Sequence, residues 1–367
     1  MPVNQDKWYE FEGVSDLDTP SVIFYENRIL YNIAELLNWV NGDTARLRPH
    51  IKTFKCRNIL DLYKKNDILK VKSATIRETQ LAAESGIPDV LMSYQLNNQK
   101  INRFIDLIHT YPHTRFSTII DNYETAFAIH QKAKAHNCTI DYFVDVNVGM
   151  NRTGFSDLQG LEQFMNTLTP LNHLKFRGFH AYDGHLTGFD WLERTKKCVE
   201  NYNILHQIIG KRPDFAHLEI VAGGSNTFPY YAKMTNAVCS PGTFVLWDDN
   251  YSIHLPEQSF LSAALLVAQV VSIPQKNTIC IDIGYKAVSS ENSLDKRLRV
   301  LNYDNLVPIA HSEEHLVLQH PENINIPIGT VIYALPYHIC PTVALYNKAF
   351  VVNQHKLVAE WEITNSR

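Results

Sequence analysis

The 367-residue chain is short of several things at once, and each shortage narrows its class. It has no excess of positive charge: 34 Lys and Arg stand against 38 Asp and Glu, net −4, so no basic field points to nucleic acid or an anionic membrane. It has no apolar run long enough for a membrane span, since stretches such as Phe260–Val271 fall short and lack flanking anchors. The N-terminal stretch, with Asp6, Lys7, Glu10 and Glu12, has no apolar core for secretion, so no signal peptide is expected. Cysteine is sparse and scattered, at 56, 138, 198, 239, 280 and 340, with no C-x-x-C pair. That pattern predicts reduced thiols in the cytoplasm, not a disulfide framework. Internal repeats, low-complexity tracts and long linkers are also missing.

What remains is ordinary globular composition, 45% hydrophobic and 20% charged, in a chain too long for one simple core. Residues 26–249 alternate short apolar runs with stretches of helical period. The predicted strands are Arg46–Lys52, Ile68–Thr75, Asp89–Gln95, Arg115–Asp121, Asp141–Val148, Lys175–Asp183, Leu218–Ser225 and Ala237–Val245. Between them Ile76–Ser85, Lys100–Thr110, Tyr123–His136 and Trp191–Gly210 space apolar residues three and four apart. Eight strand–helix units in series predict a TIM-like (β/α)8 barrel. An open doubly wound sheet could use the same elements, but no G-x-G-x-x-G follows the first strand. After residue 250 short strand-like runs separated by Pro, Asn and Gly predict a second, mostly β domain over 250–367. Residues 1–25 are assigned to it, because Ser21–Tyr25 precedes the first barrel helix, Glu26–Trp39, and could pair there.

Barrels carry their chemistry at the C-terminal ends of their strands, and the unusual residues fall there. Strand one finishes Arg48-Pro49-His50-Ile51-Lys52-Thr53. A lysine closing a buried strand is desolvated, its pKa falls, and its amine becomes competent for a Schiff base. The same position also suits a lysine paired with a carboxylate. Gly149 and Gly154 bracket Arg152 in the loop after strand five, where a guanidinium fork can bond a phenolate, carboxylate or phosphate, or remain solvated. Strand six ends His180-Ala181-Tyr182-Asp183-Gly184-His185, a run of proton-transfer groups in which His185 is preferred over His180. Strands seven and eight end in Gly223-Gly224-Ser225 and Ser240-Pro241-Gly242-Thr243, small hydroxyl-bearing loops suited to a phosphate. In the β domain, Pro336-Tyr337-His338-Ile339-Cys340-Pro341-Thr342 sets His338 and Cys340 on alternate residues of an extended segment. A thiolate with an imidazole favours zinc over harder cations, and two ligands leave room for water and substrate. His311-Ser312-Glu313-Glu314-His315 reads as a solvated turn.

Taken in order, Leu17-Asp18-Thr19-Pro20, Arg48–Thr53, Asn147-Val148-Gly149-Met150-Asn151-Arg152-Thr153-Gly154, His180–His185, Gly223–Ser225, Ser240–Thr243 and Pro336–Thr342 resemble the D-threonine aldolase / D-serine dehydratase group of pyridoxal-phosphate (PLP) enzymes, relatives of alanine racemase of fold type III. The resemblance implies a barrel plus β domain, a homodimer, and an active site at the domain junction. It implies PLP on Lys52, Arg152 near the ring oxygen and Tyr182 beside the ring. Gly223, Gly224, Ser225, Gly242 and Thr243 would hold the phosphate. His338 and Cys340 would ligate a divalent metal, zinc in preference to manganese or magnesium. Aldolases of this group tend to His-x-Asp and dehydratases to His-x-Cys, so Cys340 leans towards a lyase that dehydrates D-serine or D-threonine. General similarity leans towards aldol cleavage, for which His185 is the candidate base; racemisation and non-catalytic PLP carriage are the remaining alternatives.

Overall fold

The computed structural model describes residues 7–157, 159–188, 190–210, 218–322 and 324–365. Asp6, part of the stretch read for a leader, lies outside them. The chain forms two compact units, one running Leu36–Gly242, the other made by the chain up to Glu35 together with Thr243–Asn365. In chain order, β1 (Ser21–Tyr25) is followed by β2 (Lys70–Ser73), β3 (Asp89–Gln95), β4 (Arg115–Ile120), β5 (Ile140–Val146), β6 (Leu174–Ala181), β7 (Glu219–Ala222) and β8 (Val238–Cys239). Then come β9 (Ala264–Ser272), β10 (Thr278–Ile281), β11 (Leu298–Val300), β12 (Val307–His311), β13 (Leu316–Gln319), β14 (Val331–Pro336), β15 (Lys348–Asn353) and β16 (Lys356–Glu362).

In the first unit β2 to β8 form one parallel, curled sheet in chain order, with helices such as Ile76–Glu84, Asn98–Thr110 and Tyr123–Ala135 in the crossovers. The predicted strand Arg46–Lys52 is not a regular strand. Thr44–Arg46 and Ile51–Thr53 are 3-10 turns, and between them Leu47 bridges to Cys239 and His50 to Lys72. The segment thereby links the two edge strands, β8 and β2, by single bridges. Pro49 explains the break: it has no N–H to donate, although its carbonyl still accepts from Lys72 N at 2.9 Å.

The inside of this sheet is layered. At one level Arg48, fully buried, bonds Asp89 at 2.7 Å and Glu219 at 2.8 Å, while Arg177 reaches Asp89 and Asp141. Burial alone would raise the Asp89 and Glu219 carboxyls; Arg48 and Lys70, joined by Arg177 at Asp89, together outweigh it and hold both below the usual range. The next level is apolar: Leu91, Ile119, Phe143, Val221 and Val238. Two residues beyond Phe143, Asp145 points inward beside His180, its register partner on β6. Polar side chains therefore reappear towards the strand ends, where the cavity described below opens.

The second unit is a nine-stranded mixed sheet in the order β12-β13-β10-β9-β1-β15-β16, with β14 also on β9 and β11 on β14. Ser21-Val22-Ile23-Phe24-Tyr25 is buried throughout, which fits a central strand, antiparallel to β9 and parallel to β15. Tyr9, Phe11, Tyr25, Val267 and Tyr333 pack in its core.

Candidate active site

Within the first unit a cavity of about 590 Å3 is lined by His50, Lys52, Lys72, Arg152, His180 and Tyr182, among others. Three of the residues singled out in the sequence, Lys52, Arg152 and Tyr182, are thus brought to one wall system. Lys52 sits on the Ile51–Thr53 turn, where His50 Nδ1 accepts the Lys52 N–H at 3.2 Å. Its side chain is exposed, which corrects the expectation of a buried strand lysine. Its neighbours on the turn, Ile51 and Thr53, are fully buried, so it is the Lys52 side chain alone that faces outward.

The buried lysine of the cavity wall is Lys72 on β2, only 3% exposed. Its Nζ lies 2.6 Å from Ser240 Oγ and 5.7 Å from the centre of the Tyr182 ring. Burial first, and the nearby charge of Lys52 second, lower its pKa to about 7. Sequence reading passed over this residue, although the desolvation argument applied to Lys52 belongs to it.

A hydrogen-bonded chain ties the cavity wall to the Arg152 loop. His180 Nδ1 meets Asp145 at 2.7 Å, and Gln95 Nε2 donates to Asp145 at 3.2 Å and to Asp121 at 2.9 Å. Asp121 in turn accepts the Gly154 N–H at 3.0 Å. Gly154 has φ +100°, and a Cβ there would stand 2.6 Å from Asn147 N, so only glycine closes the loop. Burial lowers the pKa of His180 despite Asp145, and its buried Nε2 has no hydrogen-bond partner among the described residues. The Arg152 guanidinium carbon is 5.1 Å from the Tyr182 ring centre. Gly224 lacks the Cβ that would press on that ring at 3.0 Å.

The remaining residues lie elsewhere. His185 packs against Gly149, its buried Nδ1 has no hydrogen-bond partner among the described residues, and it is not among the cavity-lining residues. Asp183 is committed to Thr227 at 2.6 Å and Tyr231 at 2.9 Å, and burial pushes its pKa up. Gly223 has φ +75° at the end of β7, and Gly242 N donates to Ser225 Oγ at 3.3 Å, so these two loops adjoin. Thr243 belongs to the second unit, where its Oγ1 is 3.5 Å from Cys340 Sγ.

His338 and Cys340 also belong to the second unit. The extended segment expected for them ends at His338, which caps the helical turn Ile339–Val343. They remain neighbours because that turn starts at once. His338 Nδ1 meets Glu291 at 2.5 Å. Burial would lower the His338 pKa, but bonding to Cys340 and Glu291 raises it to about 9. Among the described residues no group of three or more His, Cys, Asp or Glu is arranged to hold a metal, so the protein offers a pair. Thiol and imidazole are donors for a borderline-soft divalent ion. Glu313 and Glu314 both pair with exposed Lys286, as befits a solvated turn.

A curled parallel sheet whose strand ends enclose a lysine, an arginine and an unsatisfied imidazole defines an alanine racemase-like binding unit. The family model for the alanine racemase N-terminal domain matches residues 26–245, and the chain belongs to that family. Residues 263–352 match the model described as "Putative serine dehydratase domain". The chain is 22% identical over 361 residues to D-threonine aldolase of Arthrobacter sp., covering 96% of this chain and 94% of that one. It is 20% identical over 373 residues to D-threo-3-hydroxyaspartate dehydratase of Delftia sp. (strain HT23), covering 94% and 97%. Among solved structures it superposes on D-threonine aldolase from Filomicrobium marinum with TM-score 0.87, at 22% identity and 95% coverage of each chain.

Proposed function

We propose that the protein is a PLP- and divalent-metal-dependent lyase acting on D-3-hydroxy amino acids, with dehydration of D-serine or D-threonine type favoured. The observation that carries this reading is the convergence of Lys52, Arg152 and Tyr182 on one cavity beside the unpartnered His180 Nε2. That donor set fits PLP: an accessible amine for the aldehyde, a guanidinium for the ring oxygen, an aromatic face for the ring. Gly223, Gly224, Ser225, Gly242 and Thr243 supply backbone and hydroxyl donors for the phosphate. When bound, PLP supplies an electron sink for charge developing at the substrate Cα. Lys52, exposed and on a short turn, would be the group that takes the Cα proton.

His338 and Cys340 would hold the metal, zinc being the ion their donor atoms favour, and Lewis acidity towards the β-hydroxyl is the chemistry it would supply. Aldol cleavage to glycine and an aldehyde is the second reading, supported by the D-threonine aldolase relative; there His185 would take the hydroxyl proton. We take the protein to be a cytoplasmic homodimer, consistent with six cysteines free of disulfides and with no described helix long and apolar enough to cross a membrane.

The test is the absorbance spectrum of the purified protein, followed by incubation with D-serine and D-threonine with and without chelator. A cofactor band lost in Lys52→Ala, with chelator-sensitive 2-oxo acid formation, is the expected result. Glycine and acetaldehyde from D-threonine would establish the aldolase instead. Turnover that survives chelation would point to racemisation, and no cofactor band after adding PLP sinks the reading.

A further inference from the structure

Lys72 is a buried amine that the proposed chemistry leaves without a task. It stands on β2, on the wall of the same cavity as Lys52, and among the described residues its head group meets one neutral hydroxyl, Ser240 Oγ, and the Tyr182 ring. Among the described residues it makes no ion pair with a carboxylate. Arg48 and Lys52 oppose its charge, and Asp145 and Asp183 support it from a distance. A lysine head group has more donors than one serine can take, and burying it unpaired is costly. An apolar residue would fill the place at lower cost if packing were its only role. Ser240 is itself pinned, its N–H shared between the carbonyls of Ala222 and Gly223, so the Lys72–Ser240 pair is a fixed feature of the wall.

The two lysines mark different depths: Lys52 is exposed and Lys72 buried. In pyridoxal the aldehyde carbon and the ring nitrogen are para to each other. A ring attached through its aldehyde at the exposed lysine and lying along the depth of the cavity would turn its nitrogen to the buried end. We propose that Lys72, steadied by Ser240, is a cofactor-binding residue that donates a hydrogen bond to the PLP ring nitrogen; this rests on Lys52 being the PLP lysine.

The experiment measures dissociation constants of PLP, pyridoxal and 1-deaza-PLP, in which C–H replaces the ring nitrogen, for wild type, Lys72→Met and Lys72→Gln. Wild type should prefer PLP to the deaza analogue by about tenfold, the worth of one hydrogen bond. Lys72→Met should lose that preference by binding PLP more weakly and the analogue no less well, and Lys72→Gln, which keeps a donor, should recover part of it. Equal affinities of wild type for PLP and its deaza analogue overturn the proposal whatever the variants do. A deficit in Lys72→Met that appears with PLP but not with pyridoxal overturns it too, by assigning Lys72 to the phosphate. If wild type shows no cofactor band that Lys52→Ala removes, the PLP reading itself has failed, an outcome distinct from the other two.

Discussion

A lysine buried without a carboxylate makes folding depend on its own proton, and Lys72 is such a residue. Burial, then the charge of Lys52, lower its pKa from the ordinary 10.5 to about 7. Between those two values the unfolded chain holds a proton that the folded chain does not. Stability of the cofactor-free protein therefore rises with pH across that window, relative to a form lacking the group. Lys72→Met, nearly isosteric and uncharged, removes the rise. We expect the urea-unfolding free energy of Lys72→Met minus that of wild type to be positive at pH 7 and to shrink by about 2 kcal/mol by pH 9, since each pKa unit is worth about 1.4 kcal/mol. A difference that stays flat over that range would mean that Lys72 titrates as an ordinary lysine. The same logic separates the two lysines chemically: Lys52, accessible on its turn, suits attack on an aldehyde, and Lys72 suits recognition.

At the scale of elements, one carboxylate starts two helical turns in the second unit. Asp248 Oδ1 accepts the Tyr251 N–H at 3.0 Å, capping Asp249–His254, and Oδ2 accepts the Ile339 N–H at 3.1 Å, at the turn that His338 begins. Burial pushes the Asp248 pKa up to about 6, so these N–H groups hold a carboxylate that burial penalises. Asp248→Ala should cost about 2 to 3 kcal/mol in thermal unfolding, from a lost cap and a stranded N–H, and should weaken zinc retention through His338. A melting temperature within error of wild type would show the caps to be dispensable. The elements also show what a sequence can and cannot reveal. Asp89–Gln95 is read to the residue, because an apolar run bounded by helical periods has few other uses. Arg46–Lys52 misleads because a proline and two 3-10 turns leave the apolar pattern intact while removing the ladder. His338 and Cys340 are legible as a pair, but not as a helix cap, since the cap depends on Asp248, ninety-one residues away along the chain. Lys72 escapes notice because its burial depends on Ser240, 168 residues further on. His180, ranked below His185, lines the cavity where His185 does not: alternation along a strand does not say which face looks inward.

Across the whole molecule the two proposed ligand sets belong to different units except at Thr243, a proposed phosphate donor that lies in the second unit 3.5 Å from Cys340 Sγ. Lys52, Arg152, Tyr182, Gly223–Ser225 and Gly242 lie within Leu36–Gly242, whereas His338, Cys340 and Glu291 lie within Thr243–Asn365. Each set has its own internal support, the Asp145–His180 chain in one and Asp248 in the other. Apart from that one contact the proposed sets have separate supports, so the expected outcome is that cofactor and metal bind independently, with both required if the proposed lyase chemistry holds. Chelation should abolish 2-oxo acid formation and leave the lysine-linked absorbance band in place, while Lys52→Ala should remove the band and leave zinc content unchanged. Glu291→Gln sharpens the distinction. Glu291 occupies His338 Nδ1, which leaves Nε2 as the donor for a metal, and a carboxylate behind a metal-binding imidazole raises its basicity. That variant should lose zinc affinity by about tenfold, measured against a chromophoric chelator, with no change in the band. Loss of the band on chelation would instead couple the two sets, and the metal would then have to be counted among the groups that hold the cofactor.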